Sequence, residues 1–191
     1  MRRKLNIYFK FGVFLSTIII SIVIAGLYGI INDQVTYTIS PEYFTKFKYI
    51  QFGINPAELG GARQTVAAIG FLATWWVGSI LGVVFGLVAF VYKDYKTMFK
   101  MACNAIAVTF CITICMGFVG FFYGKFYLAK AGVDWWLPDN LIDKASFITV
   151  GSIHNFSYIG GLVGLFAGAM YLFLKKLAEK KARLHPITHP S

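Results

Sequence analysis

The sequence predicts an all-α polytopic membrane protein, a four-transmembrane-helix bundle with structured extracytoplasmic loops. Three observations predict it. Of 191 residues, 58% are hydrophobic and only 14% charged, with a mean hydropathy of +0.66; a soluble domain is about 45–50% apolar and about 25% charged. Four apolar runs, at approximately 11–31, 66–91, 101–123 and 153–174, contain no Asp, Glu, Lys or Arg. The basic residues cluster at alternate ends of those runs.

Each run is long enough to cross about 30 Å of hydrocarbon, which takes about 20 residues. Backbone groups in lipid must be satisfied within the segment, so the runs are expected to be helices. Barrel strands are shorter and alternate in polarity. The chain is read as one membrane domain, 1–191, with outer loops at 32–65 and 124–152 and a basic cytoplasmic tail at 175–191.

The first run follows "MRRK" and contains a small-residue site at Val23-Ile24-Ala25. Its apolar stretch is too long for a signal-peptide core, and no polar region precedes that site. It is expected to remain as a signal anchor. In the loop that follows, Val35, Tyr37 and Ile39 alternate with polar residues, a short strand signal. Ser40-Pro41-Glu42 reads as a helix start, a hydroxyl cap with Pro at the first helical position. Tyr43, Phe44, Phe47 and Ile50 then recur at helical spacing, an aromatic face on the bundle or at headgroup level. Asn55-Pro56-Ala57-Glu58 repeats the capping logic, and Gly60-Gly61 ends the turn.

The second run carries Gly78, Gly82 and Gly86, and the fourth Gly160, Gly164 and Gly168. Ser21, Ala25 and Gly29 share this four-residue period in the first run, and Gly120 and Gly124 in the third. Such stripes, glycine zippers, let helix backbones approach closely. Superposing the glycines of the second and fourth runs also aligns Lys93 with Lys175, as a duplicated hairpin would. Cys103, Cys111 and Cys115 lie in the third run, where a pair at i, i+4 is poorly placed to bond; they are expected as small packing residues. Asn104 is expected to bond across helices. Trp135 and Trp136 in the second loop, with Tyr43, Phe44 and Phe47, are expected at the water–lipid interface.

Twelve of the 18 basic residues lie before the first run, between the second and third, and after the fourth; only Asp94 and Glu179 accompany them. The other connections are neutral overall. The positive-inside rule then puts both termini in the cytoplasm, with a bacterial inner membrane as the expected setting. The net charge of +10 is split among the ends of separate spans, so it is read as facing lipid headgroups, not nucleic acid.

His154 is the one histidine before the C-terminal tail. On a helical wheel it shares a sector with Ser157, Gly161, Gly164 and Gly168, while Asn155 projects the other way. It is expected to point into the bundle just under the outer surface. An ionisable group facing a bundle interior is a functional candidate. The candidate outer-face polar cluster is His154, Ser157, Arg63, Gln64, Asp33, Glu42 and Asp139. Their spacing matches no metal-ligand motif, and no nucleophile–base pair is visible, so no metal, cofactor or catalytic residue is assigned.

"YTISPEYFTKFK", "DWWLPDN" and "HNFSYIGG" together resemble a family of bacterial four-span membrane proteins without an assigned activity. The resemblance implies the four-span fold and carries over no substrate or site residue. Three functions stay open. One is a non-enzymatic accessory or assembly component that meets a membrane protein partner, a second copy or the lipid bilayer through its outer cap. The others are a small transporter or permease-like subunit and an intramembrane enzyme. A transporter predicts a polar track running inward past His154, and the sequence offers little beyond Thr74, Ser79, Thr109, Thr113 and Asn104.

Overall fold

In the computed structural model the described residues are 2–184, with side chains described from Asn6 to Ala182. The far part of the basic tail and the side chains of Arg2, Arg3, Lys4 and Arg183 lie outside them. Four long helices follow one another: α1 (Arg2–Ile39), α2 (Ala62–Ala89), α3 (Tyr95–Tyr123) and α4 (Lys144–Leu184). Each is long and apolar enough to span a membrane, over Asn6–Ile39, Ala62–Ala89, Tyr95–Ala131 and Lys144–Ala182. The chain is a multi-pass membrane protein built as a four-helix bundle.

The helices outrun the apolar runs at the end where α1 stops and α4 starts, here called the cap end. The strand expected at Val35–Ile39 is instead the last turns of α1. Thr36 Oγ1 donates to Asn32 O at 3.0 Å and Thr38 Oγ1 to Gln34 O at 3.0 Å. These hydroxyls satisfy themselves on the helix, where a lone six-residue strand would have had no partner. Helical rotation also lays Tyr37 edge-on against Phe44, with ring centroids 5.4 Å apart. Pro41 ends α1, because the residue before a proline is pushed into extended backbone, and Ser40 has φ −143° and ψ 93°.

The next segment is a chain of short turns: Pro41–Tyr43, a π-helical turn Phe44–Lys48, Tyr49–Phe52 and a 3₁₀ turn Pro56–Leu59. Asn55 Oδ1 accepts from Ala57 N–H at 3.1 Å, and Gly60, at φ 81°, closes that turn. The π turn changes the face predicted for this segment. Tyr49 N–H donates to Phe44 O, five residues back, so the helix phase slips by one residue. Lys48 is turned inward and Ile50 outward, at 74% exposure.

Tyr43 and Phe44 are buried, in a cluster with Tyr49, Val66, Ile69, Phe147 and Val150 that ties the cap to α2 and α4. They are the part of that aromatic face which lies on the bundle. Phe47 is half-buried; Trp135 and Trp136 are exposed.

α1 packs chiefly on α2, and α3 on α4. A Cβ added at Gly82 would stand 2.5 Å from Ile18 Cα, and Gly78 meets Ser21 and Ala25 backbone-close. On the other pair, a Cβ at Gly160 would stand 2.9 Å from Thr113 Cα, and one at Gly164 2.8 Å from Thr109 Cα. Gly78, Gly82, Gly160 and Gly164 therefore fall inside the hairpins, while Gly168 also faces Phe85 of α2. At the end opposite the cap, Phe85, Tyr92, Met98, Ala102 and Leu172 form a second core shared by α2, α3 and α4, and Tyr92 Oη donates to Leu172 O at 2.8 Å. The two hairpins are thus fastened at both ends of the bundle.

Asn104 Nδ2 donates to Tyr171 Oη at 3.1 Å, bridging α3 and α4. The cysteines differ from expectation: Cys111 and Cys115 are exposed on the outside of α3, so they do not pack the bundle. The inward face of that helix carries Ala102, Ala105, Thr109 and Thr113.

Candidate functional site: a polar pocket beneath the cap

α1 supplies Asp33 six residues before its end and α4 supplies His154 and Ser157, while the π turn buries Lys48 in the cap nearby. All are nearly removed from solvent: Asp33 is 2%, Lys48 4% and His154 5% exposed. Buried ionisable groups are costly unless paired and hydrogen-bonded. These are paired only loosely. His154 Nε2 lies 3.8 Å from Asp33 Oδ1, too far for a hydrogen bond. Neither His154 Nε2 nor Asp33 Oδ2 has a hydrogen-bond partner among the described residues. Lys48 stands close enough for its charge to act on both, with Nζ 5.6 Å from the centre of the Phe52 ring.

The cap forms the roof. The Tyr43 ring lies on the His154 imidazole, centroids 5.1 Å apart and planes 10° from parallel. Burial pushes the Tyr43 hydroxyl pKa up and lowers that of the Lys48 ammonium, the second effect opposed by the Asp33 charge. One turn along α4 from His154, Ser157 Oγ accepts from Tyr28 Oη at 2.9 Å. Below lies a cavity of about 90 Å³, room for a few water molecules. Its lining includes Asp33, His154, Ser157 and Tyr158, with Ser21, Thr74, Thr109 and Thr113 deeper in the bundle.

The deeper hydroxyls are mostly engaged. Thr74 Oγ1 donates to Ala25 O at 2.8 Å, crossing from α2 to α1. Thr109 Oγ1 donates to Gly164 O at 2.8 Å, crossing from α3 to α4. Thr113 Oγ1 donates to Thr109 O at 2.8 Å. Ser21 Oγ is buried without a partner.

The candidate polar cluster divides into three places. His154, Ser157 and Asp33 converge on the pocket. Arg63 sits at the surface as a clamp between α2 and α1: it donates to Gln34 O at 2.9 Å, Gln34 Oε1 at 3.1 Å and Thr38 Oγ1 at 3.1 Å, and lies over the Tyr37 ring. Its neighbour Gln64 is exposed.

Glu42 works between the loops. Its carboxylate pairs with Lys46 at 2.6 Å and accepts from Ile142 N–H at 3.0 Å and Asp143 N–H at 2.8 Å. Lys46 also donates to Asn140 O. Those amides and Lys46 hold the Glu42 pKa down to about 2. Asp143 caps α4, accepting from Ser146 Oγ at 2.7 Å and from Ser146 N–H at 2.9 Å, and these two bonds lower its pKa. Asp139 is exposed.

Sequence reasoning did not single out Lys48, Tyr28 or Tyr158, and read Tyr43 only as one member of an aromatic face. Tyr28 carried a signal, lying three residues beyond Ala25 on the Ser21–Ala25 stripe. Lys48 did not, because only the π turn brings it inside. Among the described residues no three of His, Cys, Asp and Glu converge. No family model, no curated protein and no solved structure matches the chain, so the family resemblance rests on its three sequence segments alone.

Proposed function

We propose that the protein is a non-enzymatic accessory or assembly component of a cell membrane, the bacterial inner membrane, acting through its cap with both termini in the cytoplasm. The orientation follows from the basic end of the bundle, where Lys93, Lys96, Lys175 and Lys176 gather. One observation carries the reading: Tyr43 of the cap is stacked on His154 of the intramembrane pocket. Whatever displaces the cap uncovers the pocket, and whatever fills the pocket bears on the cap.

The groups the cap offers a partner are Trp136, Ile50 and Ile142, exposed by 69%, 74% and 92%. Gentle purification from native membrane, followed by identification of bound protein and lipid, tests the proposal. Replacing Trp136 and Ile142 by Ser is expected to release a co-purifying protein while the bundle stays folded. Failure to recover any stoichiometric partner, or its retention in the double variant, refutes the cap as the working surface. Thiol labelling of single cysteines at Lys96 and Trp136 from the two sides of the membrane tests the orientation.

The transporter reading is favoured by one observation, the cavity below His154 reaching Thr74, Thr109 and Thr113. At about 90 Å³ it suits water or a proton path better than a solute.

A further inference from the structure

Between α1 and α3 the two hairpins leave a groove of about 1020 Å³, lined almost wholly by apolar side chains, among them Leu27, Ile31, Phe110 and Phe118. Such a groove facing lipid would ordinarily need no explanation, since acyl chains fill it. This one has a polar destination. Its inner wall includes Tyr28 and Asn32, and the same two residues, with Phe110, line the small cavity that holds Asp33 and His154. The groove and the polar pocket are therefore neighbours across one layer of side chains. The fastening of that layer is the Tyr28–Ser157 hydrogen bond, supported by Tyr28 edge-on to Phe110 at 6.0 Å.

We infer that the groove and pocket form a single binding site for an uncharged long-chain amphiphile, entering from the bilayer between α1 and α3. The chain lies along the groove, and a small head bearing hydroxyl or carbonyl oxygens reaches the unpartnered His154 Nε2 and Asp33 Oδ2. Charge selects the head. Lys48 is buried in the cap, near enough for its charge to act on Asp33, so that carboxylate already has a counter-charge and a phosphate or an amine would add a second, unpaired one. Each charged head would be desolvated without a partner, whereas a neutral head needs no counter-ion. Tyr28 is the side chain the head must pass. This deepens the proposed function, since the ligand would sit directly under Tyr43 of the cap.

The test uses the full-length protein in phosphatidylcholine nanodiscs and a monoacylglycerol with a diazirine in its acyl chain. Crosslinks are expected to concentrate on residues 27–35 of α1 and 106–118 of α3. Unlabelled monoolein or a long-chain quinone should compete about tenfold better than phosphatidic acid or a long-chain amine. The better of the two neutral competitors identifies the head. Leu27→Trp with Ile31→Trp fills the groove at exposed positions and should cut labelling about tenfold, and Asp33→Asn with Lys48→Gln should erase the preference for neutral competitors.

Labelling spread equally onto the outer face of α4 at Phe166 and Phe173, equal competition by phosphatidic acid, or normal labelling of the tryptophan variant each overturns the site. Normal labelling of the tryptophan variant with the cap partner still co-purifying would show that the ligand assignment had failed and the accessory role had not.

Discussion

Gly161 and Gly164 stand three residues apart in α4, and the structure assigns them opposite responses to the same substitution. A Cβ at Gly164 would stand 2.7 Å from Thr109 Cγ2 and 2.8 Å from Thr109 Cα, while one at Gly161 meets nothing within 4 Å. Ordinary carbon contacts are about 3.5–4.0 Å, so Gly164→Ala must push α3 and α4 apart by about 1 Å locally. That overpacking costs about 1–3 kcal/mol. It also stretches the 2.8 Å bond from Thr109 Oγ1 to Gly164 O, a bond contributing on average about 0.6 kcal/mol between membrane helices. The helix-propensity gain of Gly→Ala, about 1 kcal/mol, offsets part of this.

The net expectation is a loss of about 1–2 kcal/mol for Gly164→Ala and a gain of up to about 1 kcal/mol for Gly161→Ala. Reversible unfolding in bicelles, followed by circular dichroism, measures both. Equal effects of the two substitutions, or a stabilised Gly164→Ala, would refute the packing assigned to α3 and α4.

Other outcomes follow from the cap and the opposite core. Glu42, with its pKa lowered from 4.5 to about 2, contributes to cap closure above the unfolded-state value and loses that contribution as pH falls through about 2. Hydrogen exchange at the Ile142 and Asp143 amides should stay slow at pH about 4 in the wild type; Glu42→Gln should speed it there and remove its dependence on this carboxylate. Tyr43→Ala empties a buried aromatic site and should cost about 3–5 kcal/mol, whereas Tyr43→Phe keeps the stack on His154 and should cost under about 1 kcal/mol. Denaturant unfolding separates these. Tyr92→Phe removes the bond to Leu172 O and should cost about 1 kcal/mol, read from the same unfolding curves.

Much of the site was readable from single residues. His154, Ser157, Gly164 and Gly168 fall on one face of a helix whose period is fixed, so their inward direction follows from spacing alone. The same reading separates Asn155, which is exposed. Asp33 was recognised as a candidate, but nothing local tied it to His154, 121 residues away. Arg63, Glu42 and Asp139 looked equivalent to it as polar groups near the same end. Their separation depends on which loop atoms each one meets, and Glu42 meets Ile142 and Asp143 across 100 residues of chain.

What the sequence determined by itself is the solvent and the number of crossings. Four uncharged runs must be helices in lipid, because nothing else satisfies their backbone, and the small-residue stripes foretold close contact. The tertiary structure decided the partners and the phase. Gly161 and Gly164 have the same chemistry, and only Thr109 opposite one of them makes it indispensable. The alternation in "QVTYTI" was real but idle, because no second strand met it and α1 ran on to the proline. Lys48 was turned inward by a π turn, a one-residue slip that no helical period can anticipate.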